Sequence, residues 1–310
     1  MITSVFKKST PFNFSLVVVL MLVFFFLYQM QDVAWANSFI SIFQKTGLLL
    51  VLLGTIFLGS FISKRNGLSR DSTYTAFFYF LFLLFFPNLL NNANLILANF
   101  FILLAIRRLI SLQTLKETKE KLFDASLWIF VAALFQFWSI LYILLVFISI
   151  MFHVSRDYRN WVIPFIALLG VSILFISGSL IFDIHSIEFL QEKSIISLSL
   201  DYFSNNYQNV AFSIYATISL FFVVSLFLTL SNRPLVLHSS YKKVIASFFI
   251  GVLVFVLSDN KSNELLVFTF APMSIMATSH IEISAPKLKE EIVLFVLLAC
   301  SFFAFFSQLL

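Results

Sequence analysis

Between Leu127 and Phe152 the chain runs for 26 residues without a charged side chain. Backbone N–H and C=O groups in lipid must find partners inside the protein, so such a run enters a membrane as helix or not at all. Similar apolar segments recur at about 12–28, 47–62, 73–90, 93–106, 125–138, 139–152, 161–182, 210–230, 244–257, 265–277 and 292–310. A soluble fold is excluded by composition. Hydrophobic residues make up 60% of the 310 and charged residues 11%, against roughly 45–50% and roughly 25% in soluble domains. So few polar side chains cannot cover a globular surface. Disorder fails for the same reason. The expectation is an all-α, polytopic transmembrane helix bundle of about eleven segments, several short or re-entrant, forming a single integral membrane domain over residues 1–310.

Charge sets the orientation. With the N-terminus cytoplasmic and strict alternation, seventeen of the 20 basic residues fall on the inner side, including every arginine, and only Lys45, Lys193 and Lys261 fall outside. That asymmetry is the positive-inside pattern, and it places the C-terminus outside. It also accounts for the net charge of +5 without any nucleic-acid partner. Reading 127–152 as one crossing degrades the split to 12 against 8. The charge pattern therefore predicts a run that enters and returns, turning near Gln136-Phe137-Trp138-Ser139. Its length of about 39 Å as helix is short of two 30 Å crossings, so the two arms are short, tilted or re-entrant. Pro87, Asn88, Asn91 and Asn92 break the 73–106 stretch in the same way. At the N-terminus, Lys7, Lys8 and Ala34-Trp35-Ala36 flank the first apolar run like a signal peptide. The run is about 17 residues, close to a full span, so a retained first helix is expected.

Few residues offer chemistry. No Asp, Glu, Lys or Arg lies in the middle of a predicted segment, which argues against proton pumps and ion-coupled transporters. There is no GxGxxG, Walker A, GxSxG or CxxC motif. The four histidines, His153, His185, His238 and His280, have no ligand-pair spacing on one helix face, and the single cysteine, Cys300, can form no internal disulfide. No cofactor and no metal site is expected. The amides Asn94, Asn99 and Gln136 are candidates for a polar recess. The basic stretch Arg107, Arg108, Lys116, Lys119 and Lys121 reads as a solvated extension of the preceding helix, with Glu117 and Lys121 in i,i+4 order, and could meet lipid headgroups or a partner. On the outer side, Asp32 follows the first helix, and the long outer connection Asp183 to Asn209 carries Asp183 and Asp201, with Tyr202, Phe203 and Tyr207 suited to an interfacial belt. Asp32 is a weak candidate for a general base.

The opening MITSVFKKSTPFNF and the stretches PNLLNNANLILANFFILLAIRRLISL and KLFDASLWIFVAALFQFWSILYILL resemble an uncharacterised family of multi-pass inner-membrane proteins of Bacteroidota. The resemblance implies a bacterial inner-membrane location and transfers no functional residues. Three functions stay open. The foremost is a non-catalytic subunit of a larger inner-membrane assembly for export, translocation or envelope biogenesis, with membrane lipids and other inner-membrane proteins as partners. Short helices and outer carboxylates would also suit a transferase acting on lipid-linked sugars at the outer face. A carrier or channel for an uncharged or lipidic substrate is the third.

Overall fold

A computed structural model describes residues 2–181, 188, 191, 193–196, 205–259, 261–283 and 287–309. Among these there is no β-strand, only an isolated antiparallel bridge between Ile196 and Ser258. The helices are α1 (Ile2–Phe6), α2 (Pro11–Gln29), α3 (Phe39–Arg65), α4 (Tyr74–Leu84), α5 (Ala93–Ile110), α6 (Thr118–Phe135), α7 (Ile143–His153), α8 (Arg159–Ile181), α9 (Asn206–Thr229), α10 (Leu235–Leu257), α11 (Val267–Ile283) and α12 (Lys287–Ser307). Asp183, His185, Asp201, Tyr202 and Phe203 lie outside the described residues. The chain forms two compact units, one of residues 1–96, 201–233 and 270–310, the other of 97–200 and 234–269.

In the first unit a short helix is wholly enclosed. Every residue of α4 is buried, as are Phe85, Phe86 and Pro87 after it. Eleven residues make about 16 Å of helix, roughly half a bilayer core. Pro87 opens the 3-10 turn Pro87–Asn91 and stops the helix there. Its surroundings are aromatic: Phe6 stacks on Phe77 at 4.0 Å between centroids, and Phe24 meets Phe80 at 5.6 Å. Tyr215 of α9 sits edge-on to Phe82, Phe85 and Phe86 at 5.8, 5.8 and 5.3 Å.

A buried helix must still satisfy its end groups. At the start of α4, Thr73 donates its N–H to the Phe6 carbonyl at 2.9 Å, and the Tyr74 hydroxyl donates to the Thr3 carbonyl at 2.7 Å. At the far end, the Gln308 amide donates to the Phe85 carbonyl at 2.9 Å. Gln308→Leu leaves that carbonyl without this donor at a buried site, which costs about 1–3 kcal/mol. The expected result is a lower unfolding midpoint in detergent, while Gln308→Glu, which keeps acceptors but loses the amide donor, is no better than Leu.

In the second unit α6 packs along α8, with Phe130, Ala167 and Val171 at the centre of the contact. The opposite face of α8 exposes Phe165, Leu169, Ile173 and Leu174. The 127–152 run is not one helix. The chain is extended at Gln136 (φ −134°, ψ 104°), passes through the 3-10 turn Phe137–Tyr142 and resumes as α7, which packs against α6. Gln136 donates to Ser258 Oγ at 3.2 Å. The Tyr142 hydroxyl lies 3.1 Å from the Ser247 carbonyl and 3.0 Å from the Phe268 carbonyl. Phe268 needs this donor, because Pro272, four residues on in α11, has no N–H to give it.

Several helices exceed the apolar segments read from sequence. The segments expected at 244–257 and 265–277 are α10, 23 residues, and α11, 17 residues preceded by a 3-10 turn over Asn263–Leu266. The cause is visible in α10. Lys242 and Lys243 look like a segment end, yet the helix runs through them because Tyr241, Lys243 and Val244 are all buried.

Candidate functional site

The basic connection from α5 to α6 differs from its expected form. It is not a helix extension. α5 stops at Ile110, a 3-10 turn covers Ser111–Thr114, and Leu115 and Glu117 both adopt left-handed backbone, φ 54° and 50°. Left-handed geometry costs an L-residue roughly 1–2 kcal/mol, so something must hold the turn. Lys121 does: at 8% exposure it donates to the Ser111 carbonyl at 3.2 Å and to Thr114 Oγ1 at 2.9 Å. It is therefore an internal tie and not a surface charge. Arg108 pairs with Asp124 at 2.7 Å and Lys119 with Asp157 at 3.7 Å, while Lys116 is exposed and Arg107 half-buried. Pairs this exposed contribute at most about 1 kcal/mol each. Glu117→Gly relieves the strained turn and raises stability by about 1 kcal/mol; thermal unfolding in detergent measures it, and a loss of stability would show that the Glu117 side chain matters more than its φ.

Beside this turn is a polar recess of about 580 Å³, lined by Thr118 of α6, Phe152 and His153 of α7, Val154 to Asp157, and Asn160 of α8. One of its lining residues, His153, is backed by a buried lysine. Lys243, at 1% exposure, donates to the Leu109 carbonyl at 2.6 Å and lies 3.1 Å from His153 Nε2. An amine has protons for both acceptors. With the Lys243 ammonium donating to both, His153 Nε2 accepts and the ring proton sits on Nδ1. Asn160, 3% exposed, donates its amide to the Val154 carbonyl at 3.0 Å, which fixes the amide orientation and leaves buried Oδ1 without a hydrogen-bond donor. Asp157 accepts from the Arg159 N–H at 3.0 Å besides pairing with Lys119. Arg156 is exposed at the recess wall.

Lys243 overturns the expectation that no charged residue lies inside a segment, since it is the ninth residue of α10. Glu282, next to last in α11, accepts from the Arg70 N–H at 2.9 Å and from Ser72 Oγ at 2.7 Å. Among the other candidates, Asp32 is exposed between α2 and the 3-10 turn Val33–Asn37. Asn94 is exposed, Asn99 is buried and Gln136 is half-buried against Ser258. Among the described residues no group of three or more His, Cys, Asp or Glu could hold a metal ion. Sequence reasoning missed His153, Arg156, Asp157, Asn160 and Lys243 as a group. The only hint was a lysine pair directly ahead of an apolar run.

Among the described residues, eight helices are long and apolar enough to cross a membrane: Pro11–Gln29, Phe39–Arg65, Ala93–Thr114, Arg159–Ile181, Asn206–Asn232, Leu235–Leu257, Asn263–Ile283 and Glu290–Ser307. Their length and composition point to a multi-pass α-helical membrane protein. The chain belongs to DUF6427, a family of unknown function whose sequence profile matches residues 1–310. No curated protein and no solved structure matches it.

Proposed function

We propose that this protein is a non-catalytic integral subunit of a larger assembly in a bacterial inner membrane, serving export, translocation or envelope biogenesis. It crosses in about eleven segments, the eight long helices joined by α4, α6 and the arm Phe137–His153, with the N-terminus inside and the C-terminus outside. The observation that carries the reading is the enclosed helix α4. The middle of its unit, where a transport path or reaction chamber would run, is filled by aromatic side chains. Thr55 donates to the Leu52 carbonyl and Ser274 to that of Ala271, while Thr75 of α4 ties to Thr278 of α11 at 3.1 Å. Such a body is built to hold shape, which is what a scaffold subunit contributes. The charge asymmetry of the loops supports the orientation.

Purification of the tagged protein from native membranes in mild detergent, with mass spectrometry and sizing, tests the subunit reading. Recovery with a fixed stoichiometric set of membrane proteins is expected, and recovery as a lone monomer overturns it. Asp32→Asn separates the transferase alternative: normal growth and envelope composition are expected, and their loss would favour the enzyme. With Cys300 replaced, a cysteine introduced between 231 and 243 should resist labelling from outside intact cells.

A further inference from the structure

The recess beside α7 and α8 has features that together describe a ligand. On one side it offers cationic and donor groups: the Arg156 guanidinium, which makes no ion pair or hydrogen bond among the described residues, and the Nδ1–H that the Lys243 contact assigns to His153. On the other it offers the carboxylate of Asp157 and, closed off from solvent in the wall, the orphaned Oδ1 of Asn160, which a ligand must uncover to reach. A simple anion would satisfy the first group and leave Asn160 Oδ1 without a donor. A ligand with a phosphate and a hydrogen-bonding cation a few bonds apart satisfies both.

The position of the recess names the source. Met151 and Phe152 are exposed at the end of α7, and Tyr158 is exposed on the loop. Trp161 stacks on Phe147 at 6.0 Å and donates to the Ser155 carbonyl at 3.4 Å. Tyr and Trp at a helix end, with the exposed apolar face of α8 running on from them, mark the level of lipid headgroups. We propose that this recess binds the headgroup of a phospholipid bearing a primary ammonium, of the phosphoethanolamine type, with the phosphate on Arg156 and His153 and the ammonium on Asn160 and Asp157. The acyl chains then follow the apolar face of α8. Lys243 is a positioning residue that holds the imidazole in the donating tautomer. This assignment concerns the second unit and does not depend on the subunit reading.

The test is native mass spectrometry of the purified full chain, delipidated and titrated separately with phosphatidylethanolamine, phosphatidylcholine and phosphatidylglycerol of the same acyl chains. One phosphatidylethanolamine should be retained about tenfold more tightly than phosphatidylcholine, whose quaternary ammonium has no N–H for Asn160. Phosphatidylglycerol, with net negative charge beside Asp157, should also bind more weakly. Arg156→Ala and Asn160→Leu should each abolish the preference. Arg156 is exposed, so its variant keeps the fold, and an unchanged lipid-free unfolding midpoint checks both. Soluble phosphoethanolamine should fail to displace the lipid at millimolar concentration. Equal retention of the three lipids, unchanged preference in Arg156→Ala, or displacement by the soluble headgroup would each overturn the proposal.

Discussion

Gly251→Val unfolds the α7–α10–α11 junction, and we expect it to be the most damaging single substitution in the second unit. A Cβ on Gly251 would lie 2.9 Å from the Thr269 methyl, 3.1 Å from the Tyr142 hydroxyl and 3.2 Å from the Phe268 backbone carbon. The methyl could rotate away, but the other two cannot easily yield. Tyr142 is held between the Ser247 and Phe268 carbonyls, and the Phe268 carbonyl has lost its helical donor to Pro272. Overpacking a tight site costs about 1–3 kcal/mol, and displacing Tyr142 adds about 1–3 kcal/mol for the exposed need of a buried carbonyl. A loss of about 2–6 kcal/mol should appear as loss of folded protein from the detergent extract. Gly251→Ala should lie between Val and wild type. A wild-type midpoint for Ala would mean that α10 can move away from α11 at little cost.

Lys243→Ala should cost about 3 kcal/mol. Two contributions add: the Leu109 carbonyl and His153 lose their donor, and the space of a four-carbon stem empties. The comparison that isolates them is Lys243→Met. Methionine refills the space and removes a buried charge, whose transfer from water costs several kcal/mol. We therefore expect Lys243→Met to stay within about 1 kcal/mol of wild type in stability. Its effect should fall instead on lipid preference, because His153 is no longer held with its proton on Nδ1. Equal damage from Ala and Met would show that the fold needs the ammonium itself. A double variant with His153→Leu should lose less than the sum of the two single losses, since the pair share one contact.

The parts of the fold legible in sequence are those a membrane enforces. The apolar runs, the interruption near Gln136 and the break at Pro87 follow from hydropathy, charge and proline, and each can be read locally. The illegible parts depend on distant partners. Leu115 and Glu117 take left-handed backbone although neither is glycine or asparagine, and Glu117 and Lys121 have the spacing of a helical ion pair. Nothing local shows that Lys121 turns to Ser111 and Thr114 instead. Lys243 reads as a segment end until its partners are known, and these stand 134 and 90 residues away in sequence. The recess has no motif for the same reason. Its residues are ordinary loop types, and only the burial of Asn160 and the arrival of Lys243 under His153 make them a site.

The enclosure of α4 carries a consequence for biogenesis. At about 16 Å the helix is too short to reside across lipid alone, and one of its end carbonyls waits for Gln308, 223 residues further along the chain. At a translation rate of about 5–20 residues per second, that interval lasts about 10–45 seconds. During that time a phenylalanine-rich half-helix with an unsatisfied end stands beside the translocon or against an insertase. The protein thus has a long vulnerable period before closure, in which a membrane chaperone or quality-control protease has its opportunity to act. Closure comes only when α12 has threaded in, so the arrival of Gln308 is the event that converts the nascent chain into a stable body.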